Sequence, residues 1–236
     1  RAAAEEELHT NFKLGAGGEY LGLIKPDGQT VSHHFVMKYP KQRDDVSYGI
    51  PAGWEPEANT TTSVIGGATF FLQPTPGAPN SKVLQGTVAK LMFSKPHGLY
   101  DEPFELGITS ETAGATLRYT TDGSIPTVDT GQVLDGDSLK IGKTTVLRVA
   151  GFRPGFKPTK VVTRTYLFPK DIVRQSPDGL PPAGFPYDWG FNFVDYGMDQ
   201  RVVNDERYKD KIFDGLRSIP SYSLLMEMDD LFDEET

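Results

Sequence analysis

Residues 115–127 constrain the fold of this chain more than any other stretch. The first half alternates β-branched or aromatic side chains with polar ones, a pattern that predicts a strand with one buried face. Asp122 and Gly123 suit a tight turn that needs positive φ, and Pro126 prevents a central strand from continuing. A matching strand is predicted at residues 144–150, so the two strands form a hairpin-like unit of a β-sandwich.

Length and composition favour short strands joined by tight turns. The chain has 236 residues, enough for one large or two small domains with a buried core. Its 25 glycines and 18 prolines follow no repeating period, which is typical of β-proteins rich in turns. A hydrophobic fraction of 37% lies above that of disordered chains. We therefore expect a mainly β fold.

Charge and cysteine content exclude several classes of function. A net charge of −8 without a basic stripe argues against nucleic acid and anionic membranes as partners. The chain has no cysteine, which excludes disulfides, thiolate nucleophiles and cysteine-ligated zinc. No run approaches the roughly 18 apolar residues of a membrane span, so we predict no membrane insertion. The start without methionine or signal peptide suggests a piece of a longer protein.

The N-terminal third is predicted to contain short strands separated by turn signals. Residues 18–24 and 31–37 form a strand and its return strand around the Pro-Asp-Gly turn of residues 26–28. Residues 69–72 form another short strand. The proline-rich residues 74–80 are predicted to be a stiff connector.

Several motifs in this third resemble the second half of a bacterial lamin-tail domain. They are His9-Thr-Asn-Phe-Lys-Leu14, Gly18-Glu-Tyr-Leu-Gly-Leu23, Asp45-Val-Ser-Tyr-Gly49 and the run from Pro74 to Asn80. The resemblance implies an immunoglobulin-like sandwich over residues 8–80 that lacks the opening strands of the family. Such a sandwich has an open edge. We expect the remainder of a parent polypeptide, or a partner chain, to supply the missing strands.

A linker is predicted at residues 81–90, followed by a second sandwich at residues 91–168. The second sandwich resembles the chitobiase/β-hexosaminidase C-terminal domain, also called the fibronectin-III-associated domain. The motifs that carry the resemblance are Gly98-Leu-Tyr100, Arg118-Tyr-Thr-Thr-Asp-Gly-Ser-Ile-Pro-Thr127, Leu147-Arg-Val-Ala150 and Thr163-Arg-Thr-Tyr166. The resemblance implies a small accessory domain of secreted enzymes and surface proteins, without catalytic residues of its own.

The last third is predicted to be a Pro/Gly-rich linker at residues 169–204 followed by a short α/β segment at residues 205–236. Aromatic residues between 188 and 193 are expected to dock the linker onto a neighbouring surface. Apolar residues at four-residue spacing predict a helix over residues 205–216. A strand is predicted at residues 219–228.

This end resembles the entrance to a spore-coat protein H-like kinase domain. The motifs are Tyr196-Gly-Met-Asp199, Val202-Val-Asn-Asp205, Ile219-Pro220 and Asp229-Asp-Leu-Phe232. In that family the nucleotide-binding and catalytic parts would lie beyond Thr236. The resemblance therefore assigns no kinase activity to these residues.

Acidic side chains in turns are the candidate metal ligands. They are Asp122, Asp129, Asp135 and Asp137. Carboxylates suit calcium, but the spacing fits no EF-hand and Asp-Gly is a common hairpin turn. We expect the aspartates to build turns, with calcium as the alternative, and we predict no cofactor and no catalytic residue.

Three aromatic side chains are candidates for stacking on sugar rings. They are Trp54, Tyr100 and Trp189, with Trp54 the strongest because a loop carries it. Packing in a core or against a neighbouring domain is the alternative for each. His33 and His34 are adjacent on a predicted strand and point to opposite faces, so they do not share one metal.

These observations predict two tandem immunoglobulin-like β-sandwiches, the first incomplete, then a linker and a short α/β segment. The function predicted is a non-catalytic scaffold or adhesion segment of a large secreted or cell-surface bacterial protein. A carbohydrate-binding accessory module of a polysaccharide-degrading enzyme is the first alternative, with polysaccharide as its partner. The front end of a secreted kinase-like protein is the second. In each case the location expected is extracellular or at the cell surface.

Overall fold

The computed structural model describes residues 12–35, 37–55, 63–65, 67–181, 185–189 and 191–226. His9, the motif Asp229-Asp-Leu-Phe232 and residues 227–228 of the predicted strand lie outside the described residues. The described chain forms two compact units. The first comprises the residues up to Thr87 together with Pro154–Lys157, and the second comprises Val88–Arg153 and the residues from Pro158 onward.

Short strands dominate both units, which confirms the predicted mainly β fold. The first six strands are β1 (Gly22–Ile24), β2 (Val31–Phe35), β3 (Ser47–Gly49), β4 (Ser63–Ile65), β5 (Thr69–Phe71) and β6 (Gly86–Thr87). The next nine are β7 (Leu91–Phe93), β8 (Gly98–Leu99), β9 (Phe104–Ser110), β10 (Thr116–Thr120), β11 (Gln132–Val133), β12 (Ser138–Ile141), β13 (Thr145–Phe152), β14 (Phe156–Lys157) and β15 (Val162–Leu167). The C-terminal part contains α1 (Pro169–Ile172), β16 (Asp188–Trp189), β17 (Asn192–Phe193), α2 (Gln200–Val203) and α3 (Ile212–Ser218).

The first unit is built from small sheets with the orders β1-β2-β4 and β3-β5, and β6 pairs with β14 in parallel. The predicted turn joins β1 to β2, with Gly28 at φ 72°. Asp27 Oδ1 accepts hydrogen bonds from the backbone amides of Gln29 at 2.9 Å and Thr30 at 2.8 Å. The turn therefore closes through its own side chain.

The described strands of the first unit do not close a seven-stranded sandwich. Tyr39 and Phe71 are its buried hydrophobic residues among those described, at 3% and 1% exposure. Phe35 and Tyr48 face each other with ring centroids 5.6 Å apart, yet both remain partly exposed. The core of this unit is small.

The second unit is a β-sandwich of a five-stranded sheet, β11-β10-β13-β15-β8, and a three-stranded sheet, β12-β9-β7. Its core cluster draws on both sheets: Leu106 and Ile108 come from β9, Leu147 and Val149 from β13. All four side chains are 0% exposed. Alternation along each strand places these residues on the inner faces.

The two strands predicted around residues 115–150 are neighbours in the five-stranded sheet. Strand β10 pairs with β13 in antiparallel register, with Tyr119 opposite Val149. The connection differs from a hairpin, because β11 and β12 intervene in the chain. Asp122 and Gly123 lead instead towards β11, which pairs with the opposite edge of β10. The turn therefore begins the loop of residues 121–131, which connects β10 to β11.

The C-terminal third departs from prediction in its helices and strands. The predicted helix over residues 205–216 is shorter and later, at Ile212–Ser218, and turns fill residues 206–211. No strand is present among residues 219–226, so the strand predicted there is wrong for the described part. Periodicity alone does not supply the neighbouring strand that a ladder needs. No helix in the described ranges is long and apolar enough to cross a membrane.

Candidate functional site

The turn at Asp122 and Gly123 uses its polar groups internally. Asp122 Oδ1 accepts hydrogen bonds from the Ser124 amide at 3.0 Å and from the Ser124 hydroxyl at 2.6 Å. These bonds, the one from the hydroxyl above all, lower the pKa of the Asp122 carboxyl. Gly123 adopts φ 88°, a conformation that favours glycine.

Two arginines, which the sequence analysis did not single out, hold the loop of residues 121–131. Arg148 donates to the carbonyl of Gly123 at 2.6 Å, and Arg118 donates to the carbonyl of Gly131 at 2.9 Å. Pro126, between these contacts, is fully buried. Side chains alternate between the two faces along β10 and β13, so the sequence could have predicted that both arginines lie on the face opposite the core. The loop of residues 121–131 thus has a structural role, because it is held against β10 and β13.

The other acidic candidates are separate exposed side chains. Asp129, Asp135 and Asp137 are all solvent-exposed. The carbonyl of Asp137 accepts a hydrogen bond from the Ile108 amide at 2.9 Å, a backbone contact that leaves the carboxylate in solvent. Within the described ranges, no group of three or more His, Asp or Glu side chains is arranged to hold a metal ion.

Tyr100 is partly buried and packs against the core of the second unit. Its ring centroid lies 4.3 Å from that of Phe104 and 5.9 Å from that of Tyr166. Its hydroxyl donates to the carbonyl of Pro96 at 2.7 Å. These contacts engage both the ring and the hydroxyl of Tyr100 within the fold, and part of the side chain remains exposed.

Trp54 lies in the first unit, in a loop after β3, and is partly buried. Its ring meets His33 edge-on, with centroids 6.1 Å apart. His34 contacts Tyr20 instead, with centroids 5.8 Å apart. The two histidines therefore take different partners, as expected for adjacent residues on a strand.

Trp189 belongs to the small hairpin of β16 and β17, where it pairs with Asn192. The side chain of Trp189 lies outside the described part of the structure. The three aromatic candidates thus lie in a loop of the first unit, beside the core of the second unit and in the hairpin.

The hairpin carries aromatic side chains that the sequence analysis misplaced. Phe191 and Phe193 are 104% and 91% exposed, and Tyr187 just before the hairpin is 65% exposed. The expectation that residues 188–193 dock onto a neighbouring surface is therefore wrong for Phe191 and Phe193 within the described chain. Hydrophobicity predicted burial here, but the described residues supply no surface to cover these rings.

The match to a known family lies in the second unit. Residues 95–163 match the family model of the chitobiase/beta-hexosaminidase C-terminal domain. The matched range contains most of the sandwich, from the residues before β8 to the beginning of β15. No curated protein and no solved structure gives a significant match to the chain. The lamin-tail and kinase-like resemblances remain predictions.

Proposed function

We propose that the chain is a non-catalytic β-sandwich scaffold segment of a large secreted or cell-surface bacterial protein. One observation carries the proposal: in the second unit, two of the candidate side chains, Asp122 and Tyr100, are engaged in contacts within the fold, and the described acidic side chains form no group that could hold a metal ion. Asp122 closes its own turn, and Tyr100 packs its ring against the core. The family match of residues 95–163 supports an accessory role for this sandwich.

A covered, internally bonded sandwich suits the role of a spacer. Arg118 and Arg148 tie the loop between β10 and β11 to the five-stranded sheet of the second unit. The core cluster beneath holds fully buried side chains from both sheets. Such a unit keeps its shape without a ligand, because its loops and core depend on contacts within the chain.

The absence of catalysis is tested on the 236-residue chain itself. The purified chain is incubated with magnesium and γ-labelled ATP plus a general protein acceptor, and separately with chromogenic glycosides. The proposal expects neither phosphate transfer nor hydrolysis above the rate of a heat-unfolded sample. Turnover that persists after repeated purification would overturn it.

A carbohydrate-binding accessory module is the second candidate. The family match and the loop position of Trp54 favour it. Affinity electrophoresis in gels that contain soluble polysaccharides tests it, with Trp54→Ala as the probe and Tyr20→Ala as a matched aromatic control in the same unit. Retardation lost only in Trp54→Ala would support this candidate over the scaffold, and unchanged mobility in every gel would reject it.

The resemblance of residues 205–236 supports a third candidate, the front end of a kinase-like secreted protein. Helix α3 lies in this segment and has no buried residue. Phosphate transfer by the chain joined to its following sequence, but not by the chain alone, would favour this candidate.

We also propose that strands from the parent polypeptide or a partner chain complete the first unit. A small groove lined by Leu14, Leu21, Phe35, Tyr39, Gln42 and Tyr48 supports this proposal. Most of these side chains are apolar, and an added strand would cover them. Co-expression with the preceding sequence of the parent gene should protect the amides of β1 and β2 from exchange, and unchanged protection would count against it.

A further inference from the structure

The negative charge of the chain is concentrated at its C-terminal end. Residues 185–236 contain 13 Asp or Glu and five Lys or Arg, whereas residues 1–184 contain 19 of each. The whole net charge of −8 therefore belongs to the last 52 residues. Six of these acidic residues lie at 227–236, outside the described residues, and residues 185–226 contain seven Asp or Glu and five Lys or Arg. The excess of acidic residues in this described part favours a basic partner.

The same end exposes its largest apolar side chains. Among the described residues after Val173, none is buried. Phe191 and Phe193 of the hairpin are almost fully exposed, and Tyr187 is largely so. Exposed aromatic side chains grouped on one short element are typical of an interaction surface.

A groove of about 510 Å³ lies beside the hairpin, within the second unit. Phe193 and Met198 contribute apolar walls, and Asp178, Asp195 and Asp199 contribute carboxylates. Asp199 is neutralised by Arg201 at 2.8 Å, and Asp195 Oδ1 accepts from the Gly197 amide at 2.8 Å. Asp178 is exposed and forms neither a hydrogen bond nor an ion pair with any described residue. Two carboxylates in the groove thus lack a cationic partner.

The backbone of the hairpin is also open to a partner. Strands β16 and β17 pair only with each other in the described chain, so both outer edges of the hairpin are unpaired. The register places Asp188 opposite Phe193, so the two residues share one face of the hairpin. An edge strand with exposed aromatic residues accepts an added strand through backbone hydrogen bonds.

We propose that the hairpin and the adjoining groove form a docking surface for an extended, basic segment of a partner protein. A lysine or arginine of that segment lies in the groove, with its aliphatic stem along Phe193 and its charge near Asp178 and Asp195. Cations are attracted to aromatic faces, and long basic side chains cover apolar surface with their stems. Apolar residues between the basic ones cover Phe191 and Tyr187.

Three eight-residue synthetic peptides test the chemistry of this surface on the full 236-residue chain. One alternates lysine with leucine, one alternates glutamate with leucine, and one alternates lysine with serine. Titration calorimetry measures affinity, and amide chemical shifts map the site. The proposal expects only the lysine–leucine peptide to bind tightly, with shifts at residues 178–179 and 187–201 and weaker binding at high salt.

Matched variants locate the site. Phe193→Ser and Asp178→Asn should each raise the dissociation constant for the lysine–leucine peptide about tenfold. Val128→Ser and Asp129→Asn are the controls, because they remove an exposed apolar and an exposed acidic side chain elsewhere in the same unit. Both controls should bind as the unchanged chain does.

A lack of binding by the lysine–leucine peptide would overturn the proposal, and so would any of four further results. Equal binding of the lysine–serine peptide would indicate charge attraction alone, and equal binding of the glutamate–leucine peptide would indicate apolar adsorption alone. Shifts elsewhere, or equal losses in the control variants, would place the site outside the hairpin. This proposal does not depend on the scaffold role, since failure of peptide binding leaves the tests of catalysis and sugar binding unaffected.

Discussion

Tyr166 stands at the centre of the aromatic core of the second unit. It is 0% exposed, and its hydroxyl has no hydrogen-bond partner among the described residues. Burial raises the pKa of this hydroxyl to about 12. The contribution of Tyr166 to folding therefore comes from its ring, which lies 5.5 Å from that of Phe104.

Two replacements of Tyr166 distinguish the contribution of its ring to stability from that of its hydroxyl. Tyr166→Phe should leave the free energy of unfolding of the second unit within about 1 kcal/mol of its original value, or raise it, because it removes a buried unpaired polar group. Tyr166→Ala should lower it by about 3–5 kcal/mol through the cavity that it leaves. Hydrogen exchange at the Leu147 and Val149 amides measures both. A large loss in Tyr166→Phe would mean that the hydroxyl has a partner.

Asp27 offers a test of the turn between β1 and β2. Hydrogen bonds from the Thr30 side chain, and then from the Thr30 and Gln29 amides, lower the pKa of its carboxyl from 3.8 to about 2. Because the folded pKa is the lower one, the stabilisation is present above pH 3.8 and is lost as the pH falls through about 2. A carboxyl titration by NMR should find this low pKa.

Thr30→Val removes the first of these hydrogen bonds and should move the pKa of Asp27 back towards 3.8. Ser32→Ala is a control, since Ser32 contacts His33 and not Asp27. A titration of Asp27 near 3.8 in the unchanged chain would contradict the turn geometry.

At the scale of elements, the loop of residues 121–131 contains two glycines with unequal surroundings. Gly123 has φ 88° with open space where a Cβ would lie. Gly131 has φ 85°, and its Cβ would lie 3.0 Å from the Tyr119 carbonyl oxygen and 3.2 Å from Pro126. Gly123→Ala therefore adds backbone strain of about 1–2 kcal/mol, and Gly131→Ala adds steric contact to a similar strain.

The expected order is that Gly131→Ala destabilises the second unit more than Gly123→Ala does. Urea unfolding of the two variants, followed by the exchange of β10 and β13 amides, measures the difference. Equal losses would contradict the close packing of this loop on the sheet.

Sequence patterns predicted the strands of the β-sandwich in the second unit better than the C-terminal elements that follow it. The alternation of apolar and polar residues along β10 and β13 was sufficient to predict both strands, because each strand buries one face in a core made by the same unit. Helix α2, which Asp199 caps through the Arg201 amide at 2.8 Å, is only four residues long and leaves little periodic signal. The strand predicted from residue 219 failed because no neighbouring strand pairs with its described part.

The candidate site was less predictable than the fold. A sequence shows that Tyr100 is aromatic, but only its contacts with Phe104 and Tyr166 show that its ring packs against the core. The same limit applies to Arg148, whose partner Gly123 lies 25 positions away in the chain. Contacts of this kind depend on the tertiary fold and not on local pattern.

At the scale of the whole molecule, the two units differ in the size of their cores. The first unit buries Tyr39 and Phe71 among its described hydrophobic residues, whereas the second has a cluster built from both sheets. Stability follows buried apolar area, so the first unit should open at lower denaturant concentration. Hydrogen exchange should be faster at β1 and β2 than at β9 and β13. Equal protection in both units would contradict this difference.

The central claim is that the candidate binding side chains, Trp54, Tyr100 and Asp122, serve the fold and do not bind a small ligand. Thermal unfolding of the 236-residue chain, with and without a panel of soluble glycans at about 10 mM, tests it most directly. A glycan bound with a dissociation constant of about 0.1 mM would stabilise the folded chain by about 2.7 kcal/mol. The account predicts an unchanged Tm for both units with every glycan. A rise of several degrees in either transition with any glycan would contradict it.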